Sequence, residues 1–127
     1  MKQPISKLMT REPHTIGRDQ TMEVAHEVMR KHHIRHLPVL EGGKLVGVVS
    51  LGDLHLVETI GEVDPAKVRV EEAMSAEPST VGPDTPVGDV AAEMAEHRYG
   101  CAIVVDDHKV VGMFTTVDAL RALIPKR

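Results

Sequence analysis

No tryptophan occurs in the 127 residues, and Tyr99 and Phe114 are the only tyrosine and phenylalanine. Stacking of bases on aromatic platforms, the usual device of single-strand nucleic-acid binders, is therefore almost unavailable. A planar group bound here must lie between aliphatic and methionine side chains. Positive charge is not in excess either. The formal net charge is −4, which argues against nucleic acid as the main partner, because phosphate binding draws on clustered Lys and Arg. No apolar run approaches the ~20 residues that a helix needs to cross a bilayer. The opening Met1-Lys2-Gln3-Pro4 lacks the apolar core of a secretory signal, and the single Cys101 cannot form an internal disulfide. Both features predict a cytoplasmic protein with no membrane partner.

What the sequence does have is a duplication. Residues Ile5–Val57 lie over Val70–Ala122 at a constant offset of 65 without a gap. In that register Met9 meets Met74, Pro13 meets Pro78, Thr15 meets Thr80 and Asp19 meets Asp84. Met29 meets Met94, Val46-Gly47 meets Val111-Gly112, and Asp53 meets Asp118. The division falls after residue 61, giving repeat 1 as 1–61 and repeat 2 as 62–127. A long period present only twice excludes a solenoid, whose units run roughly 20–50 residues. Two homologous halves predict packing about a pseudo-two-fold axis, with a pair of related clefts between them.

Each half predicts the same elements. A short segment ending in Met-Thr or Met-Ser leads into an extended stretch at Pro13–Ile16 or Pro78–Val81. A helix follows over Thr21–His32 or Pro86–His97, where Met22, Ala25, Val28 and Met29 are repeated by Val87, Val90, Ala91 and Met94 at helical spacing. Thr85 is the expected cap of the second of these helices, with Pro86 in its first turn. Two strands come next, His36–Glu41 and Leu45–Ser50 around Gly42-Gly43, and Cys101–Asp106 and Val110–Thr115 around Asp107-His108. Their Val, Ile and Leu content, with little alternation, predicts strands covered on both faces. Helices over Leu51–Ile60 and Thr116–Leu123 close each half. The fold class is α/β, two tandem β-α-β-β-α repeats packed sheet to sheet.

The residues with chemistry lie where the last strand meets the last helix. Gly47-Val48-Val49-Ser50-Leu51-Gly52-Asp53 recurs as Gly112-Met113-Phe114-Thr115-Thr116-Val117-Asp118. A helix start offers free N–H groups suited to an anion. An ionised Asp one turn on accepts hydrogen bonds only, so it can take both hydroxyl protons of a cis-diol such as ribose. The same spacing also describes a helix capping box, and cap and ligand grip can coexist. Gly47 and Gly112 fit close backbone packing better than a phosphate cradle.

The double repeat, the Met-Thr and Met-Ser openings, His36-Leu37-Pro38-Val39 and the two Gly-x-x-Ser/Thr-x-x-Asp segments resemble a CBS domain pair, or Bateman module. The resemblance spans nearly the whole chain. It implies a regulatory module whose clefts bind adenosine-containing ligands such as AMP, ADP, ATP or S-adenosylmethionine, and a homodimer in the form of a flat disc. Carried over residue by residue, Asp53 and Asp118 match the ribose-binding acid, and Ser50 and Thr115 the hydroxyl beside sugar or phosphate. Ile16 and Val81 match positions that meet the base. Arg35 and His36, ahead of Leu37-Pro38, match the region that reaches the phosphates. Repeat 2 departs from this pattern, with Gly100-Cys101-Ala102-Ile103 in the corresponding places, so the two clefts are expected to differ.

Other readings carry less. His26, His32, His33 and His36 invite a metal sensor, yet His32 and His33 point apart on a helix, and no CxxC or HExxH accompanies them. Cys101 opens an apolar strand, where a buried inert thiol is expected. No nucleophile–histidine arrangement is legible, which argues against an enzyme. The expectation is a nucleotide sensor, requiring no cofactor and no metal, that acts on a separate, unidentified protein through a ligand-dependent change of shape. The alternative is a ligand-independent, homodimeric interaction scaffold.

Overall fold

The computed structural model describes residues 2–125. In chain order its strands and α-helices are β1 (Thr10–Arg11), β2 (Ile16–Gly17), α1 (Met22–His32), β3 (His36–Glu41), β4 (Lys44–Ser50), α2 (Leu51–Gly61), β5 (Thr80–Val81), α3 (Val87–His97), β6 (Cys101–Asp106), β7 (Lys109–Thr115) and α4 (Thr116–Ala122). Short 3₁₀ turns at Ile5–Lys7 and Val70–Glu72 open the two repeats. The β-α-β-β-α order is present twice, and the fold is α/β with two sheets.

The chain folds as two compact units, and these exchange the leading segments of the repeats. One unit is His14–Pro78, while the other joins the residues up to Pro13 with those from Ser79 onward. The first unit contains the sheet β2-β3-β4, with β2 parallel and β4 antiparallel to β3. Ser75, from the start of repeat 2, bridges to Val48 on the outside of β4. The second unit contains β1-β7-β6-β5, in which Thr10–Arg11 pairs antiparallel with Met113–Gly112. Ser75 against Val48 and Thr10 against Met113 are the same position of the two repeats. The division at 61/62 marks the duplication, and the folded units cut the chain elsewhere.

Burial gives the reason for this exchange. Val70, which opens repeat 2, is fully buried in the first core with Met22, Leu37, Val39, Val49 and Leu54. Ile5, which opens repeat 1, is fully buried in the second with Val87, Ala102, Val104 and Phe114. Burying such a side chain contributes about 1.5–3 kcal/mol. Matching backbone bonds hold each opening segment: Val70 N–H donates to the Gln20 carbonyl at 2.7 Å and Ile5 N–H to that of Thr85 at 2.8 Å. Leu37–Val39 and Cys101–Val104 are continuous buried runs, while β4 alternates in part.

The turns and caps differ in detail between repeats. Gly42 and Gly43 both have positive φ, 56° and 82°, the conformation of a tight hairpin. Asp107 and His108 adopt the same left-handed pair at 50° and 65° without glycine. Thr21 caps α1 by accepting the Val24 N–H at 3.3 Å. The expected Thr85 cap of α3 is corrected: Pro86 occupies the cap position with extended backbone and no side-chain bond. The proline side chain has no acceptor to offer, and the Val87 N–H finds the Gln3 carbonyl at 2.8 Å instead.

Candidate functional site

Ser50 is the last residue of β4 and the cap of α2, so the strand-to-helix junction itself places its hydroxyl. That hydroxyl accepts the Asp53 N–H at 3.0 Å, while Oδ2 of Asp53 accepts the Ser50 N–H at 2.9 Å. Thr115 and Asp118 repeat this reciprocal box at α4. The capping reading of the motif is therefore realised in both repeats. It does not exhaust the first carboxylate: among the described residues no hydrogen bond is made to Oδ1 of the half-buried Asp53.

Register brings the basic residues of repeat 1 to the same place. His36 lies opposite Ser50 across β3 and β4, and the Leu51 N–H donates to the Arg35 carbonyl at 2.9 Å. Arg35 is exposed, whereas His36 is half-buried. Burial lowers the His36 pKa from its ordinary 6.5, with Asp53 pulling it back up and Arg35 adding to the fall. A hydroxyl, a partly free carboxylate, a guanidinium and an imidazole thus share one end of this unit. They can accept from a diol and donate to an anion.

The remaining predicted positions are placed differently. Pro38 is buried within β3, opposite Val48. Its repeat mate Ile103 donates its N–H to the Ser79 carbonyl at 2.8 Å. Proline has no such donor. Ile16 pairs with Val39, three residues along β3 from His36, and its side chain is 5% exposed within the first core. Val81 has the same place in the second unit, opposite Val104, and is half-buried. Gly100 and Cys101 lead into β6 with Cys101 opposite Thr115, so the places of Arg35 and His36 hold no basic side chain there. Burial pushes the Cys101 thiol up to about 11, which keeps it protonated and inert at neutral pH.

Three side-chain arrangements were not anticipated. The Thr10 hydroxyl bonds to Asp118 at 3.0 Å, visible only once the exchange of leading segments is known. Arg18 donates to Glu71 at 2.6 Å and to Glu41 at 2.7 Å. It lines a cavity of about 580 Å³ at the hairpin end, which contains none of the predicted site residues. Arg69 also lines it, and Glu41 and Glu71 offset Arg18. His26 pairs with Glu58 at 2.5 Å and stacks near His55, and His32 stacks on His14. Among the described residues, no three His, Cys, Asp or Glu converge as metal ligands.

The family model of the CBS domain matches residues 5–57 and 70–125. The chain belongs to the CBS domain family. The CBS pair is similar to L-aspartate semialdehyde sulfurtransferase of Methanocaldococcus jannaschii, 32% identical over 126 residues and 95% of this chain. It spans 24% of that relative's length, and 21–46% of the lengths of three other curated relatives it matches. Among solved structures it resembles the CBS domain pair of protein MJ0100 in complex with 5′-methylthioadenosine and S-adenosyl-L-methionine. That likeness has a TM-score of 0.84 and 28% identity, covering 96% of each chain. CBSX2 in complex with AMP matches at a TM-score of 0.80 and 27% identity, covering 94% of this chain and 95% of that one. No described helix is long and apolar enough to cross a membrane.

Proposed function

We propose that this CBS pair is a regulatory module that binds an adenosine-containing ligand, of the class AMP, ADP, ATP or S-adenosylmethionine, and passes the signal to a separate protein in the cytoplasm. The observation that carries this reading is the repeat-1 junction. Asp53 commits one oxygen to the helix cap and keeps the other for a ribose diol, while Ser50, Arg35 and His36 stand ready for phosphate. Similar pairs that hold AMP, 5′-methylthioadenosine or S-adenosylmethionine support the ligand class. Binding regulates only insofar as the ligand prefers one shape of the module over another. A dye-based thermal-shift panel of AMP, ADP, ATP, S-adenosylmethionine and GTP tests it. A ligand at 100 times its dissociation constant stabilises by ~2.7 kcal/mol, which moves the midpoint several degrees. A shift with an adenosine ligand but not GTP supports the sensor, and no shift with any ligand contradicts it.

A homodimeric interaction scaffold is the second reading. It is favoured by exposed apolar side chains on the last helices of the repeats, Leu56 and Ile60 on α2 and Val117 and Leu120 on α4. Such patches suit a protein partner or a second copy. Light scattering of the purified chain distinguishes a dimer from a monomer, and a dimer indifferent to every nucleotide selects the scaffold.

A further inference from the structure

The acids of the repeated motif occupy equivalent places but make different bonds. At Asp118, Oδ2 accepts the Thr115 N–H at 2.9 Å and the Thr115 hydroxyl lies 3.2 Å away. The Thr10 hydroxyl, 108 residues earlier, donates to Oδ1 at 3.0 Å and lies 3.3 Å from Oδ2. At Asp53 only the Ser50 N–H bond is formed among the described residues. An ionised carboxylate accepts about four hydrogen bonds. Asp118 is thus close to saturated, with 7% of its surface exposed, while Asp53 retains most of its capacity.

The backbone does not account for this difference. Thr10 opposite Met113 and Ser75 opposite Val48 share one register position. The residue type does. Two heavy atoms on the threonine β-carbon restrict its first torsion and hold the hydroxyl in few directions. Ser75, exposed like Thr10, has no such constraint, and its hydroxyl makes no bond to Asp53 among the described residues.

We propose that Thr10 is an internal occupant of the Asp118 carboxylate that ranks the two sites. A cis-diol is taken first at Asp53 and reaches Asp118 only by displacing the Thr10 hydroxyl. The inference rests on the adenosine-ligand reading above and deepens it by naming the residue that sets the order of filling. Calorimetric titration of the whole chain with adenosine tests it. Adenosine has no phosphate, so Arg35 and His36 give repeat 1 no charge advantage. The wild-type chain takes up one adenosine, and Asp53→Asn abolishes that binding. Thr10→Val exposes a second site, bound at least about tenfold more tightly than in the wild type, and Thr10→Ser, which recreates the Ser75 side chain at this position, exposes it too. Without ligand, Thr10→Val melts a few degrees lower and Ser75→Ala does not.

Two equal adenosine sites in the wild type overturn the ranking. So does a Thr10→Val chain that still binds one adenosine, lost on adding Asp53→Asn, and in both cases the sensor reading stands. An unchanged melting temperature in Thr10→Val overturns the bond itself. No adenosine bound by any variant defeats the sensor reading, and the ranking with it.

Discussion

Met74 lies over Gly47 so closely that a β-carbon at the glycine would come within 2.6 Å of the methionine sulfur, and equally close to the Ser75 carbonyl oxygen. Gly112 has the same relation to Met9. The paired glycines and methionines of the duplicated sequence are thus one packing device, used once in each unit.

Gly47→Ala is expected to destabilise by about 2 kcal/mol, because the obstruction includes backbone that also bridges to Val48. Gly112→Ala should cost less, since its nearest obstruction is the Met9 side chain and a methionine can change rotamer. Urea unfolding of both variants checks the order. Equal or negligible losses would show that the leading segments are not held by this contact.

Cys101 supplies a test of the second core. With its pKa near 11 against an ordinary 9.0, its thiolate population at pH 8 falls about a hundredfold. Native protein should therefore react with a thiol reagent at least that much more slowly than unfolded protein. Rapid labelling of the native chain would place Cys101 outside the core.

His36 links stability to pH. Its folded pKa lies below 6.5, so in mildly acidic solution the folded chain binds fewer protons than the unfolded one. Its contribution is complete above the unfolded value and declines as the pH falls below 6.5 towards the folded one. His36→Gln should flatten the decline in melting temperature between about pH 7 and about pH 5. An unchanged slope would assign that decline to other groups.

Much of this architecture was legible in the sequence, because a duplication doubles every signal. The hairpin strands and the helices fall within a residue of their expected ends, and Gly42-Gly43 announces its hairpin. By contrast, β2 and β5 overlap only the last part of the expected extended stretches, and β1 was not expected. Thr85-Pro86 misled because a hydroxyl before a proline suits a cap, yet the chain turns one residue later. The sequence cannot show which unit receives a leading segment, since Ile5 and Val70 are equally apolar and both cores have the same opening to fill. The Thr10–Asp118 bond was hidden for that reason. The Ser50–Asp53 and Thr115–Asp118 boxes were visible because they are local, spanning three residues.

Arg35→Ala should leave adenosine affinity nearly intact and reduce the differences in affinity among AMP, ADP and ATP. An exposed guanidinium beside the α2 start can act on phosphate charge but not on ribose. Parallel titrations with the four ligands check this. An equal loss for all four would assign Arg35 to folding.

Asp53 carries the account most directly, and titration of AMP into the wild type and Asp53→Asn is the measurement that bears on it. Asparagine can still accept the Ser50 N–H, so the fold should lose no more than about 1 kcal/mol. Loss of a charged partner to the diol should weaken AMP by about 10- to 100-fold. Unchanged AMP affinity in a folded Asp53→Asn chain would contradict the assignment of this carboxylate as the ribose grip.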